Sequence, residues 1–216
     1  MGMMTGSRPR RRSIVYVDGF NLYYGTVRGT RYKWLDLERL FTRLRPDDDL
    51  QAIYYFTALV SGPSLERQLT YLRALATTPL VQVVMGRFKL KTVQCRHDAC
   101  AMNGPRFFTM MEEKRSDVNI ALQMIDDAYQ LRPDRMILVT GDSDLVPAIN
   151  LIKQRFTEIR ITVYVPARNT TRAAATELRS ASDRDRTLPL SLVKKCLFPP
   201  VIDHPSGKQI VKPSTW

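Results

Sequence analysis

Two short runs, Ile14–Val17 (IVYV) and Met136–Val139 (MILV), lack the apolar–polar alternation of a strand with one wet face. Strands of that kind are covered on both sides, as the central strands of a mostly parallel sheet are. The segments between and around them supply the covering helices. Leu35, Leu37, Leu40, Phe41 and Leu44 recur at helical spacing and stop at Pro46, and Leu65, Leu69, Leu72 and Leu75 do the same before Pro79. Ala52–Val60 (AIYYFTALV) has the aromatic and β-branched character of a strand. Helix is expected over 117–131 and 144–155, and strand over 136–140 and 159–165. Strands alternating with helices indicate a three-layer α/β fold with a mostly parallel sheet.

The chain of 216 residues, 44% hydrophobic, is long enough for one large domain. We place it at 13–198. Residues 1–12 read as a disordered basic arm, and 199–216, with Pro199, Pro200, Pro205 and Pro213, as an irregular tail. Val81–Val93 reads as a strand or hairpin arm, 94–113 as loop, and the stretch up to Phe198 as helical. No apolar run reaches membrane-spanning length and the basic N-terminus lacks a secretory apolar stretch, so a cytoplasmic location without membrane contact is expected.

Carboxylates stand where these strands end or helices begin, in IVYVDGFN, EKRSDVNIA and MILVTGDSDLV. Side chains at the carboxyl ends of parallel strands converge on one crevice, so Asp18, Asp117, Asp142 and Asp144 can meet there. Like charges packed together are costly unless a cation or shared protons neutralise them. An oxygen-lined site for a hard divalent metal is the direct reading.

Each residue also has a plainer reading. Asp18 precedes Gly19 and can serve as a turn or cap residue, and Asn21 is either a neutral ligand or phosphate donor, or a helix cap. Asp117 falls on the apolar stripe with Ile120, Ala121, Met124 and Ala128, yet a first-turn acid also suits the helix dipole. Asp127 lies on the rim of that stripe and reads as solvated or salt-bridged, while Asp126 points away. In TGDSD, Gly141 permits a tight turn, and one of Asp142, Ser143 and Asp144 must cap the next helix. Two carboxylates exceed that need.

Only His97 and His204 exist, and the second lies in the tail, so a paired-histidine or Ser-His-Asp mechanism is poorly supported. Three cysteines argue against a disulfide framework. Cys95, His97 and Cys100 invite a structural Zn²⁺ site, but the spacing is loose and a fourth ligand is missing nearby, so ordinary thiols are expected. The net charge of +12 falls to +8 without Arg8, Arg10, Arg11 and Arg12. A basic body around an acidic pocket suits a polyanionic substrate, although solubility alone also favours such a charge. Arg87, Lys89 and Lys91 alternate with Phe88 and Leu90, as either a phosphate-contacting rim or a charged edge strand protected from pairing.

VDGFN, EKRSDVNIALQMIDDAY and ILVTGDSDLVPAI, in that order over roughly residues 13–190, resemble the signature segments of the NYN domain family, a PIN-like group that includes LabA-like proteins. The resemblance implies a Rossmann-like, PIN-type α/β fold and metal-dependent ribonuclease activity. Carried over motif by motif, it selects Asp18 and Asn21, then Asp117, then Asp142 and Asp144. Gln123 departs from it, standing where many relatives carry a further acid, and this opens the question of how many metals bind. The expectation is an endoribonuclease using Mg²⁺ or Mn²⁺, with the four aspartates holding one or two ions that activate water and neutralise the phosphoryl oxygens. Asn21 and Ser143 would position phosphate or water, and Lys114 would contact phosphate or simply be solvated. The partner is then RNA, self-association being left open. The alternatives are an RNA-binding or regulatory module with little turnover, and a small-molecule phosphohydrolase.

Overall fold

The structure, a computed structural model, describes residues 9–95, 107–168, 176–204 and 206–216. Six parallel strands form the sheet: β1 (Arg11–Asp18), β2 (Asp48–Thr57), β3 (Val81–Met85), β6 (Arg135–Val139), β7 (Arg160–Val165) and β8 (Arg184–Thr187), in the order β3-β2-β1-β6-β7-β8. The helices are α1 (Gly19–Leu22), α2 (Leu37–Leu44), α3 (Leu65–Leu75), α4 (Ser116–Gln130), α5 (Val146–Arg155), α6 (Thr176–Ala181) and α7 (Leu190–Lys195). An antiparallel ribbon of β4 (Arg87–Gln94) and β5 (Phe107–Lys114) is a separate two-stranded sheet.

The two apolar runs are the two central strands, paired to each other through Ile14–Met136 to Val17–Val139. Alternate side chains along a strand point to opposite faces, so one sheet feeds two cores. Val15, Val17, Ile53, Ile137 and Val139 pack with Trp34, Leu40, Leu75 and Val193 on the side of α2, α3 and α7. Ile14, Tyr16, Phe56, Met136 and Leu138 pack with Ile120, Met124, Ile149 and Ile152 on the side of α4 and α5. This is the expected three-layer, Rossmann-like, PIN-type arrangement. From β1 the chain moves outward through β2 and β3, and from β6 it moves outward the other way through β7 and β8. The connections therefore diverge at the carboxyl ends of β1 and β6, which opens a crevice there.

Four expectations need correcting. Residues 94–113 are not all loop, because Phe107–Lys114 pairs along the whole of β4, from Gln94–Phe107 to Arg87–Lys114. The stretch before Phe198 is not one helix: Arg184–Thr187 extends the sheet beside β7, and Pro189 precedes the six residues of α7. The tail is not irregular throughout, since β9 (Val201–Asp203) pairs antiparallel with β10 (Gln209–Val211) and Ile210 is buried. Trp216 lies 6.2 Å from Trp34 and 6.1 Å from Tyr71 between ring centroids, so the end of the chain closes the core over Trp34. In the basic arm, residues 1–8 lie outside the described residues. Arg11 and Arg12 already belong to β1, with the Arg12 N–H donating to Asp134 at 2.8 Å.

Candidate active site

Asp18 is the last residue of β1, 3% exposed, and both of its oxygens are engaged. Oδ1 accepts from the Asn21 N–H at 2.9 Å, and Oδ2 from Asn21 Nδ2 at 2.6 Å and Thr140 Oγ1 at 3.1 Å. The capping reading of Asp18 is therefore correct for α1. Burial raises its pKa, while the Asn21 and Thr140 hydrogen bonds oppose that rise. Gly19 is required by space: a Cβ there would sit 2.6 Å from the Phe56 carbonyl oxygen and 2.8 Å from the Tyr55 ring. Asn21 spends its side chain as a clamp. Its Nδ2 donates to Asp18, and its Oδ1 accepts from the Gly141 N–H at 3.2 Å, tying the end of β1 to the end of β6. Gly141 itself needs no positive φ, and a Cβ there would reach Asn21 Oδ1 at 3.4 Å, so the expected tight-turn demand is not present.

Asp142 caps the short 3₁₀ turn Ser143–Leu145 by accepting from the Asp144 N–H at 3.0 Å. That uses one carboxylate oxygen and leaves Asp144 without a capping duty. Asp117 arrives from the opposite wall in the first turn of α4. Ser116 is the first residue of that helix. The residue before it, Arg115, holds a left-handed backbone at φ 82, a conformation costing about 1–2 kcal/mol for a residue with a side chain. Glu113 accepts from the Ser116 N–H at 3.2 Å and so serves this helix end from outside.

Ligand oxygens of Asp117, Asp142 and Asp144 lie within 4.8 Å of one another. Burial pushes Asp117 up to about 6, with Asp18, Asp142, Glu113 and Asp144 adding to the rise. None of the ion pairs among the described residues involves Asp18, Asp117, Asp142 or Asp144. Three converging carboxylates without a cationic partner, one of them resisting ionisation, fit a hard divalent cation. Of the four aspartates grouped from the sequence, Asp117, Asp142 and Asp144 bring oxygens within 4.8 Å of one another, and the charge of Asp18 acts on Asp117 ahead of those of Asp142 and Asp144.

Asp117 and Asp144 open into a cleft of about 780 Å³ lined also by Glu113, Lys114, Arg115, Ser143 and Glu177 among others. Ser143 and Lys114 are thus on its wall, and Lys114 also pairs with Glu112 at 3.1 Å. Glu113, Arg115, Thr140 and Glu177 were not singled out from the sequence. The first three lie inside or beside quoted motifs, whereas Glu177 comes from α6 and carries no motif signal. Arg87, Lys89 and Lys91 share one face of the ribbon, but pairing places Glu113 opposite Phe88, on the other face. Lys114, paired opposite Arg87, lies on that same basic face, which therefore reaches the cleft wall through Lys114.

Asp127 is not a rim acid. It is 3% exposed and accepts from Tyr16 Oη at 2.7 Å and Gln123 Nε2 at 3.0 Å. Cys95 is a free thiol, and its expected companions His97 and Cys100 lie outside the described residues.

A parallel sheet diverging at β1 and β6, with acids gathered at that divergence, is a three-layer α/β arrangement consistent with the PIN-like fold. Residues 12–189 match the NYN domain, and the chain belongs to that family. It is 33% identical to 6-hydroxy-3-succinoylpyridine 3-monooxygenase HspA of Pseudomonas putida, over 95% of this chain and 75% of that protein. It is 27% identical to the low amplitude and bright protein LabA of Synechococcus elongatus, over 82% of this chain and 83% of that one. A crystal structure of a Vibrio parahaemolyticus protein of unknown function shares the fold, with TM-score 0.55, 22% identity, and coverage of 86% of this chain and 97% of the other. No helix among the described residues is long and apolar enough to cross a membrane.

Proposed function

We propose that the chain hydrolyses RNA phosphodiester bonds internally with the aid of Mg²⁺ or Mn²⁺. The observation that carries this reading is the convergence of Asp117, Asp142 and Asp144 oxygens within 4.8 Å at the carboxyl end of the sheet. These three would hold the ion. When bound, it supplies Lewis-acid stabilisation of phosphoryl charge and a water of lowered pKa. The chain's own groups do the rest. Asp18 and Asn21 hold the ends of β1 and β6 in register, which fixes Asp142 against Asp117. Lys114 and Arg115 on the cleft wall attract the phosphates flanking the scissile bond, and the Ser143 hydroxyl donates to a phosphate oxygen. A long unstructured RNA incubated with protein and Mn²⁺ should be cut to products bearing 5′-phosphate ends. Cleavage should cease in EDTA and in a folded Asp142→Asn variant. Undiminished cleavage by that variant refutes the catalytic assignment.

The relative that is 33% identical over 95% of this chain is named as oxygenating a hydroxypyridine, which gives oxygenation of such a ring as a second reading. Uptake of O₂ with 6-hydroxy-3-succinoylpyridine and a two-electron donor, in a preparation that leaves RNA intact with Mn²⁺, would favour it over hydrolysis.

A further inference from the structure

Immediately after the Asp18–Asn21 clamp, the chain turns through a wide π-helical turn, Tyr23–Val27. The turn presents two tyrosines to solvent, Tyr23 at 37% and Tyr24 at 56% exposure. Their rings meet edge to face at 5.2 Å, and the Arg28 guanidinium lies 5.1 Å from the Tyr24 ring centroid. Two large aromatic rings left this open contribute little to the core, so their arrangement asks for another reason.

The turn is firmly placed. Gly25 is buried and lies so close to the Pro166 backbone that a Cβ there would overlap it. Pro166 follows the carboxyl end of β7, and Phe20, one turn earlier, packs edge to face on Phe88 of the ribbon at 5.5 Å. The tyrosines therefore sit at the same end of the sheet as Asp18 and Asp142. Arg168 brings a second guanidinium to this edge, with its Nη2 3.8 Å from where a Gly29 Cβ would be. Neither arginine is in an ion pair among the described residues.

Exposed rings flanked by cations combine the two elements that hold single-stranded nucleic acid, a stacking surface for bases and positive charge for phosphates. A duplex keeps its base faces occupied by its own stacking and offers nothing to such rings. We propose that Tyr23 and Tyr24 are a stacking platform for unpaired bases, with Arg28 and Arg168 contacting the adjoining phosphates, and that they feed single-stranded RNA to the carboxylate crevice. This rests on the ribonuclease reading for its purpose, but its binding chemistry is measurable without cleavage.

The test is fluorescence anisotropy of the full chain in EDTA with three labelled probes of equal length: an adenine-rich single-stranded RNA, an abasic backbone, and a base-paired duplex. Replacing both tyrosines by alanine should weaken single-strand binding about 30-fold or more, taking the lower end of stacking for each of two bases. Replacing both by phenylalanine should keep binding within about 2-fold, because the rings remain. Binding of the abasic and duplex probes should be the same for all variants. Unchanged single-strand affinity in the alanine variant overturns the platform, as does an equal loss with the phenylalanine variant or an equal loss for the duplex. Tyrosine-dependent binding without any Mn²⁺-dependent cleavage would uphold the platform and sink the ribonuclease reading. Cleavage and binding indifferent to the tyrosines would do the reverse.

Discussion

Replacing Asp117 by Asn should stabilise the metal-free protein at alkaline pH and leave it unchanged near pH 4. In the folded chain the Asp117 carboxyl is raised from 3.8 to about 6, by burial first and by its acidic neighbours second. A raised carboxylate pKa means that ionisation opposes folding. The cost is absent below the unfolded value, grows between pH 4 and 6, and is complete above that. In full it would be about 3 kcal/mol, at about 1.4 kcal/mol per pH unit. Asp117 is only half-buried, and solvent screening brings the expected gain of the Asn variant to about 1–1.5 kcal/mol. For a chain of this length that is a rise in Tm of roughly 3–5 °C at pH 8. Millimolar Mn²⁺ should invert the order, because the wild-type chain gains stability from ligand binding and the variant loses a ligand. Thermal melts at pH 4 and pH 8, in EDTA and in Mn²⁺, give all four corners. An Asn variant less stable than wild type at pH 8 in EDTA would mean that Asp117 serves the fold and that the carboxylates do not repel.

Other consequences follow from contacts away from the cleft. Asp48 accepts from Arg135 Nη1 through both oxygens and from Ser13 Oγ at 2.9 Å, all buried, so Asp48→Ala should cost roughly 3–5 kcal/mol in denaturant titrations. Adding Arg135→Met should restore much of that loss, and no recovery would place the cost elsewhere. Trp216→Ala should lose about 1–2 kcal/mol by uncovering Trp34 and Tyr71, and an unchanged Tm would show that Trp216 does not cover them. Arg87, Lys89 and Lys91 replaced together by Gln should flatten the log–log salt dependence of RNA binding by about 2 while leaving the Mn²⁺ thermal shift intact. An unchanged slope would assign the ribbon's basic face to protection of its own edges.

What could be read from the sequence follows from where burial comes from. Ile14–Val17 and Met136–Val139 are covered on both sides by their own sheet's helices, so composition alone reveals them. Arg184–Thr187 is an edge strand of alternating exposure made of charged residues and threonine, and its pairing with β7 leaves no apolar run to read. Asp142 and Asp144 were legible because strand ends converge in any parallel sheet, and Asp117 because it falls on the apolar stripe of the first turn of α4. The cap that Asp18 makes to Asn21 was legible too, but its bond from Thr140 was not, since Thr140 follows a different strand.

Gln123 is a case in which the neighbour one turn along its own helix, Asp127, sets where the side chain goes. It lies six residues after Asp117, about 9 Å further along α4, and its Nε2 donates to buried Asp127, which also accepts from Tyr16 of the sheet. Its side chain is thus directed toward a second, interior carboxylate. An acid at this position would face Asp127 across the distance now spanned by a 3.0 Å hydrogen bond. Gln123→Glu should therefore destabilise the fold by about 1–3 kcal/mol at neutral pH, through the lost donor and the like-charge contact. Burial already raises the Asp127 pKa, and a second carboxyl would raise it further, so the two would share a proton as pH falls and the penalty should fade toward pH 4. The Mn²⁺-induced rise in Tm should equal that of the wild type, because the new carboxylate points away from the cleft. A larger Mn²⁺ shift in Gln123→Glu, with no acid-dependent recovery of stability, would show that position 123 reaches the metal site and that the hydrogen bond to Asp127 does not govern it.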